Sequence, residues 1–174
     1  MKNRLSRAAA AGGHGRANGW PVAVVAAWRG WSGCALLAAC GGAFAGDQLT
    51  VTELAPGVFV HVGIHAGATP ENQGAIANVG FVIGEHCVAV IDSGGSFAEG
   101  VALRSAIKTR TALPVCYVIN THVHPDHVYG NAAFAADRPH VVGHRNLAAS
   151  MRARQAYYVG YLERTLGAAQ AAQS

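Results

Sequence analysis

The densest group of metal-binding side chain types in this sequence lies in one run, Thr121-His122-Val123-His124-Pro125-Asp126-His127. The run directly follows residues 115–119, a short apolar segment typical of a β-strand. Alternate side chains of an extended chain share a face, so His122 and His124 should point the same way. Val123 should then point into the core.

A helix should begin just after the two histidines, because Pro125 has the fixed φ that suits the first helical position. That helix would present Asp126 and His127 close to the preceding pair. Imidazole nitrogens and a carboxylate oxygen are ligands that zinc prefers. The alternative is that the histidines simply lie in a loop without binding anything. That explanation suits a single histidine better than three histidines and an aspartate within six residues.

The segment before this run predicts a strand, a helix and a second strand. Residues 87–91 form a β-prone segment that ends in Asp92-Ser93-Gly94-Gly95. Ser96 and Glu99 have the spacing of a capping box, so a helix should run to about residue 108. Parallel strands joined by a helix end at the same sheet edge, where clefts of α/β proteins lie. Asp92 and the 121–127 run should therefore meet, and we predict an α/β fold.

The other segments predict a small number of further elements. A hairpin should join residues 49–54 to 58–62, and a second strand pair should join 76–83 to 87–91. Downstream we expect a helix over 129–136, a strand over 140–142, and a helix from Arg145 that is interrupted at Gly160 and Gly167.

The first 45 residues have the character of an export leader. They contain five of the 13 Lys and Arg residues and no acid, so the rest has eight basic and nine acidic residues, a formal charge of −1. A basic surface for nucleic acid is therefore not supported. A composition that is 51% hydrophobic and 13% charged also argues against disorder.

Two processing sites compete in this leader. Ala43-Phe44-Ala45 suits a signal peptidase and would release Gly46, whereas Leu37-Ala38-Ala39-Cys40 resembles a lipobox that would make Cys40 a lipid anchor. Arg29 divides the apolar stretch, which leaves neither half long enough for a membrane span. We predict a leader over 1–45 and a domain over 46–174 that is periplasmic or secreted, with an envelope lipid anchor as the alternative.

The HxHxDH run after a strand resembles the signature of the metallo-β-lactamase superfamily, and Asp92-Ser93-Gly94 resembles its second signature. A closer likeness, to the exported zinc metallohydrolases associated with quinoprotein systems, is carried by two stretches. These are Val118-Ile119-Asn120-Thr121-His122-Val123-His124-Pro125-Asp126-His127 and Gly130-Asn131-Ala132-Ala133-Phe134. The resemblance covers about residues 49–166.

The resemblance implies an αββα sandwich and two zinc ions per complete site. His122 and His124 would hold one ion, Asp126 and His127 the other, and Asp92 would orient the ligands from beside the metals. Members of the family continue further, supplying a third histidine, a bridging aspartate, a late histidine and the other sheet. This chain therefore resembles the N-terminal half of such an enzyme.

Other residues have weaker claims on the site. His140 and His144 lie too early to be the absent ligands, and His61 with His65 could line the cleft but fit solvated positions better. Three tyrosines could contact substrate but have the spacing of packing residues, namely Tyr157, Tyr158 and Tyr161.

The cysteines and serines are poor candidates for chemistry. Cys87 and Cys116 could pair in an oxidising compartment, although adjacent parallel strands favour two free thiols. Ser93 and Ser96 lack the GxSxG spacing of a serine nucleophile.

By this reasoning the sequence predicts a zinc-dependent hydrolase of a small molecule. The scissile bond would be an ester, lactone, thioester, amide or phosphoester, and Asp126 would be the catalytic carboxylate that orients the attacking water. Two alternatives stay open, a non-catalytic metal-binding or relay protein of the cell envelope and an inactive truncated fragment.

Overall fold

A computed structural model describes residues 49–174 of the chain. The predicted leader, with both processing sites and Cys40, lies outside these residues. The strands are β1 (Thr52–Ala55), β2 (Val58–His61), β3 (Val79–Ile83), β4 (Val88–Ile91), β5 (Val115–Asn120) and β6 (His140–Gly143). The helices are α1 (Phe97–Lys108), α2 (Pro125–Val128), a 3₁₀ helix (Asn131–Asp137), α3 (Leu147–Leu166) and α4 (Ala168–Ala171).

The six strands form one mixed sheet in the order β1-β2-β3-β4-β5-β6. The first three pairings are antiparallel, and the β4–β5 and β5–β6 pairings are parallel. The predicted α/β class is therefore confirmed, and so is the β4-α1-β5 unit. Ile91 pairs with Ile119, which brings the carboxyl ends of β4 and β5 side by side.

One face of the sheet is covered by α1 and the 3₁₀ helix. Leu103 and Ile107 of α1 and Phe134 of the 3₁₀ helix pack on strand residues in a core that excludes water. Large apolar side chains buried in this way are the main source of stability in a small domain. The same core includes Val79, Phe81, Val88, Val90, Val115 and Val118.

The opposite face of the sheet is less covered. Val82 and Tyr117 both pair with Ala89 and so share this face, and both are exposed. Val141 and Val142 on β6 are also exposed.

The helix α1 begins as its capping residues predict. The Ser96 hydroxyl accepts a hydrogen bond from the Glu99 backbone N–H at 3.1 Å, while a Glu99 carboxylate oxygen accepts from the Gly95 N–H at 2.6 Å. Two backbone donors at the helix start are thereby satisfied, as in a capping box.

Two predicted elements differ from the structure. The helix from Arg145 begins at Leu147 and continues through Gly160 without interruption, ending before Gly167. One glycine costs a helix interior only about 1 kcal/mol relative to alanine, which the rest of a 20-residue helix offsets. The helix predicted over 129–136 is instead a turn at residues 129–130 followed by the 3₁₀ helix.

No helix within residues 49–174 has the length and apolar character needed to cross a membrane.

Candidate metal site

The two histidines after β5 lie against each other. Residues 121–123 form a bend rather than a continuation of the strand. Val123 is therefore only half-buried, and the prediction that it points into the core is wrong. The His122 Nε2 atom is nevertheless 3.2 Å from the His124 Nδ1 atom. The two side chains therefore lie on the same side, as the sequence predicts, although a bend brings them together and not an extended strand.

The helix α2 brings the other two residues of the run to the same place. It begins at Pro125, as expected, and His124 occupies its N-cap position. The His127 Nε2 atom is 3.4 Å from an Asp126 carboxylate oxygen, and the rings of His122 and His127 have centroids 4.0 Å apart. The structure therefore gathers all four predicted residues into one cluster.

Asp92 lies beneath this cluster at the end of β4. Its side chain is buried, and its φ of 54° places it in the left-handed region, which aspartate tolerates better than most residues. One carboxylate oxygen accepts the Thr121 backbone N–H at 2.8 Å. The other accepts the Thr121 hydroxyl at 2.8 Å and faces the His127 Nδ1 atom at 2.7 Å.

These contacts determine which ring nitrogens carry hydrogen. An ionised carboxylate only accepts hydrogen bonds, so the Nδ1 atom of His127 must donate to Asp92. The Thr121 hydroxyl uses its hydrogen on Asp92, so at 2.9 Å it must accept from Nδ1 of His122. When the two rings are neutral, as metal binding requires, the Nε2 atoms of His122 and His127 carry a lone pair, the form in which imidazole binds a metal.

Backbone contacts hold the end of β4 against α2. The Ser93 N–H donates to the His127 carbonyl at 2.9 Å, and the Gly130 N–H donates to the Gly94 carbonyl at 3.0 Å. A Cβ atom at Gly130 would lie 2.0 Å from the Ser93 carbonyl oxygen. Only glycine allows this close approach.

The residue before the 121–127 run is held by a reciprocal pair of side-chain amides. Asn120 and Asn131 each donate a side-chain N–H to the other's carbonyl oxygen, at 3.1 and 2.8 Å, and Asn120 is buried. Sequence reasoning missed this pair, and no local pattern predicts it because the partners meet only after the sheet forms.

The charges of the cluster are strongly coupled. Hydrogen bonds to Asp126 and Asp92 raise the pKa of His127 from 6.5 to about 9. Burial opposes ionisation of Asp92, but its hydrogen bonds with His127 and Thr121 prevail and lower its pKa. The hydrogen bond with His127 likewise lowers the pKa of Asp126, whereas burial lowers the pKa of His122.

Glu99 is a further buried acid beside this cluster. Burial raises its pKa from 4.5 to about 8, and the negative charge of Asp126 acts in the same direction. One of its carboxylate oxygens, Oε1, has no hydrogen-bond partner among the described residues. The sequence predicted Glu99 only as a capping residue, and the capping pattern gives no signal of its burial.

The candidate ligands form two pairs, and the atoms of each pair have the separation expected of two ligands on one zinc ion. Two ligands of one tetrahedral zinc lie about 3.3 Å apart when each bond is about 2.0 Å. Two distances match that separation. The His122 Nε2 and His124 Nδ1 atoms are 3.2 Å apart, and the His127 Nε2 and Asp126 Oδ2 atoms are 3.4 Å apart. Within residues 49–174 no three His, Cys, Asp or Glu side chains are arranged to hold one ion, so this part of the chain offers two donors to each metal.

The weaker histidine candidates make contacts of their own. His61 Nδ1 is 2.8 Å from the Thr50 carbonyl oxygen, and the His140 ring lies beside Tyr117. His65 and His144 are exposed.

The tyrosines differ from one another in burial, and the cysteines agree with the prediction. Tyr158 is buried and packs edge-on against Tyr129, whereas Tyr157 is 68% exposed. Cys87 and Cys116 are free thiols, as favoured from the sequence.

The family model of the metallo-beta-lactamase superfamily matches residues 73–166, more than half of the chain. The chain belongs to the metallo-beta-lactamase superfamily. The matched range includes Asp92, the 121–127 run and all of α3. The fold of this superfamily is a metal-dependent hydrolase fold, and its members typically bind metal ions.

Solved structures agree with the family assignment. A metallo beta lactamase from Hirschia baltica aligns over 61% of this chain and 48% of its own, with a TM-score of 0.51 and 17% identity. This likeness supports the fold, and the chain spans about half the length of that relative. No curated protein matches the chain.

Proposed function

We propose that this protein is a zinc-dependent hydrolase of small-molecule substrates. His122 and His124 would hold one ion and Asp126 with His127 a second, with further ligands supplied from elsewhere in the working enzyme. The observation that carries the proposal is the pairing of these donors at 3.2 and 3.4 Å above Asp92. A histidine cluster of merely structural use would not need two donor pairs at the separation of two ligands on one tetrahedral zinc ion.

The chemistry follows from the cluster's own residues. Bound zinc supplies a water molecule of lowered pKa and polarises the oxygen of the scissile group. Asp126 would orient such a water and hold its proton, since the lowered pKa of Asp126 keeps this carboxylate ionised near neutral pH. Asp92 maintains the ring orientation and tautomer of His127 directly, and of His122 through Thr121.

The scissile bond in this proposal is an ester, lactone, thioester, amide or phosphoester. The proposal includes a location in the periplasm or outside a bacterial cell, because residues 1–45 resemble an export leader, with attachment through Cys40 as the alternative. The substrate is then a small molecule that reaches this compartment, and neither nucleic acid nor a membrane span is part of the proposal.

The test is metal content and hydrolysis measured on the same preparation. The protein expressed from its gene is loaded with zinc, analysed for zinc per chain, and assayed on a panel of esters, lactones, thioesters, amides and phosphoesters. Hydrolysis should stop on chelation and return with zinc. The double variant His122→Ala, His124→Ala should lose zinc and activity, while the exposed control His144→Ala should keep both.

Two results would contradict the proposal. Hydrolysis that survives chelation would mean that the nucleophile does not depend on metal. Zinc bound at this site without hydrolysis of any member of the panel would favour a non-catalytic metal-binding or relay protein.

A further inference from the structure

A small cavity lies beside the candidate metal site, between it and α3. Its volume is about 200 Å³. His124 and Asp126 line one side, and Tyr157, Tyr158 and Tyr161 of α3 line the other. The cavity thus touches one member of each proposed ligand pair, so a group bound in it would adjoin the reacting bond.

The size of the cavity sets the size of its occupant. An apolar cavity of about 150 Å³ is enough for one benzene ring. The remaining walls include Ala68, Ile76 and Leu162, which are apolar. The cavity therefore suits one aromatic ring or a group of similar volume, and its lining favours an apolar one.

In the metal-free protein the charges around the cavity disfavour an anionic occupant. Among the described residues that line it there is no Lys or Arg, and its one charged acid is Asp126. Binding of a carboxylate or phosphate in a protein usually needs a guanidinium, an ammonium or an ordered set of N–H donors. A negatively charged substituent would instead approach the Asp126 carboxylate, which repels it.

The tyrosines of α3 do not have the same role. Tyr158 is 8% exposed and its ring packs between Tyr129 and Tyr157, so it belongs to the folded interior. Tyr157 keeps 68% of its surface exposed at the cavity. An exposed aromatic ring beside a cavity of ring size is available for stacked or edge-on contact with a second ring.

We propose that this cavity binds an uncharged aromatic group of the substrate and that Tyr157 selects it. The identity of the reacting site rests on the proposed function. Binding of the aromatic group itself needs only the cavity and does not require zinc. The substrate class is then an aryl-bearing compound, such as an aryl ester.

Binding is tested with acetanilide, a neutral aryl amide that serves as a slowly reacting probe. The metal-free protein is titrated by ligand-observed NMR, and a Kd in the millimolar range is expected for so small a molecule. Tyr157→Ala should raise the Kd about five- to ten-fold, while Tyr157→Phe, which keeps the ring, should change it less than two-fold. The charged analogue 4-acetamidobenzoate should bind at least ten-fold more weakly than acetanilide.

The matched control is Val159→Ala. Val159 is an exposed residue of the same helix and does not line the cavity, so its truncation should leave the Kd for acetanilide unchanged. Absence of acetanilide binding, a wild-type Kd in Tyr157→Ala, or 4-acetamidobenzoate binding as tightly as acetanilide would each overturn the inference.

The two proposals fail in different ways. Acetanilide binding that depends on Tyr157, in a protein without zinc-dependent hydrolysis, supports the aromatic site and counts against the proposed function alone. Zinc-dependent hydrolysis of phenyl acetate with the same kcat/KM in wild type and Tyr157→Ala overturns the aromatic site and leaves the proposed function standing.

Discussion

The Nδ1 atom of His127 lies 2.7 Å from a carboxylate oxygen of Asp92, although the two residues are 35 positions apart in the chain. The same oxygen accepts the Thr121 hydroxyl, which in turn faces His122. One buried carboxylate therefore orients two imidazole rings, whose Nε2 atoms are lone-pair donors when the rings are neutral. This arrangement makes Asp92 and Thr121 the first residues to test.

Asp92→Asn should weaken zinc binding about 10- to 100-fold, as is usual when a group that orients metal-binding histidines is lost. The amide can present an N–H to His127 where the carboxylate accepted one, which favours the tautomer with hydrogen on Nε2. Zinc affinity is measured by competition with a chelating dye. Asp137→Asn, which breaks the ion pair with Arg104 and leaves the cluster intact, is the control and should bind zinc normally.

Thr121→Val should weaken zinc binding by a smaller factor than Asp92→Asn. Valine keeps the shape of threonine but removes the hydroxyl that accepts from His122, while the direct Asp92–His127 contact remains. Thr121→Ser retains the hydroxyl and should bind zinc within about two-fold of the wild type. Equal affinities for the valine and serine variants would show that the hydroxyl does not orient His122.

Glu99→Gln should change how stability depends on pH in the metal-free protein. The folded protein keeps a proton on Glu99 up to about pH 8, whereas the unfolded chain releases it near the ordinary value of 4.5. Stability from this group is therefore complete below about pH 4.5 and is lost as the pH rises to about 8. The loss should be on the order of a few kcal/mol.

Urea unfolding at about pH 5 and about pH 8 measures this effect. The difference between the free energies of unfolding at these two pH values reports how many more protons the folded protein binds than the unfolded chain. The difference should be smaller in Glu99→Gln than in the wild type. The pKa of His127 is also raised, from 6.5 to about 9, so His127 lowers the stability of the folded state as the pH rises from about 6.5 to 9. This loss occurs in both the wild type and Glu99→Gln. The exposed Glu85→Gln should behave as the wild type does. Identical pH profiles for Glu99→Gln and the wild type would contradict the buried, protonated state of Glu99.

Gly130→Ala and Gly160→Ala should have opposite effects on the free energy of unfolding. A methyl group at residue 130 would meet the Ser93 carbonyl oxygen at 2.0 Å and the loop after β4 would have to move, which should cost at least about 1–3 kcal/mol. At residue 160 the methyl meets only the mobile end of Arg164, and alanine is the better helix former by about 1 kcal/mol. Denaturant unfolding compares the two, and a Gly130→Ala variant as stable as the wild type would exclude the close packing of β4 on α2.

Asp126→Asn should lower kcat of the zinc-loaded enzyme about 10²- to 10⁴-fold, the usual contribution of a positioned acid or base. The amide keeps the size of the side chain but loses the charge and the ability to accept a proton. Zinc content is measured on the same samples, so that a loss of metal is separated from a loss of turnover. Normal turnover in a zinc-containing Asp126→Asn variant would exclude this residue as the carboxylate that orients the nucleophile.

The sequence alone identified the candidate metal-binding cluster and the fold class. The spacing of His122, His124, Asp126 and His127 is local information, because neighbouring residues stay close whatever the rest of the chain does. The cap at Ser96 and the end of β5 are local in the same sense. Joining two strands through a helix then requires their carboxyl ends to share an edge, so the meeting of Asp92 with the run was also predictable.

Tertiary structure alone decided the contacts between distant residues. The relay from Asp92 through Thr121 to His122, the amide pair of Asn120 with Asn131, and the burial of Glu99 depend on distances set when strands and helices pack. The same packing buries Tyr158 and exposes Tyr157, which are adjacent residues of identical type. A sequence pattern reports what a residue can do, and only the packed environment determines the proton it carries and the surface it presents.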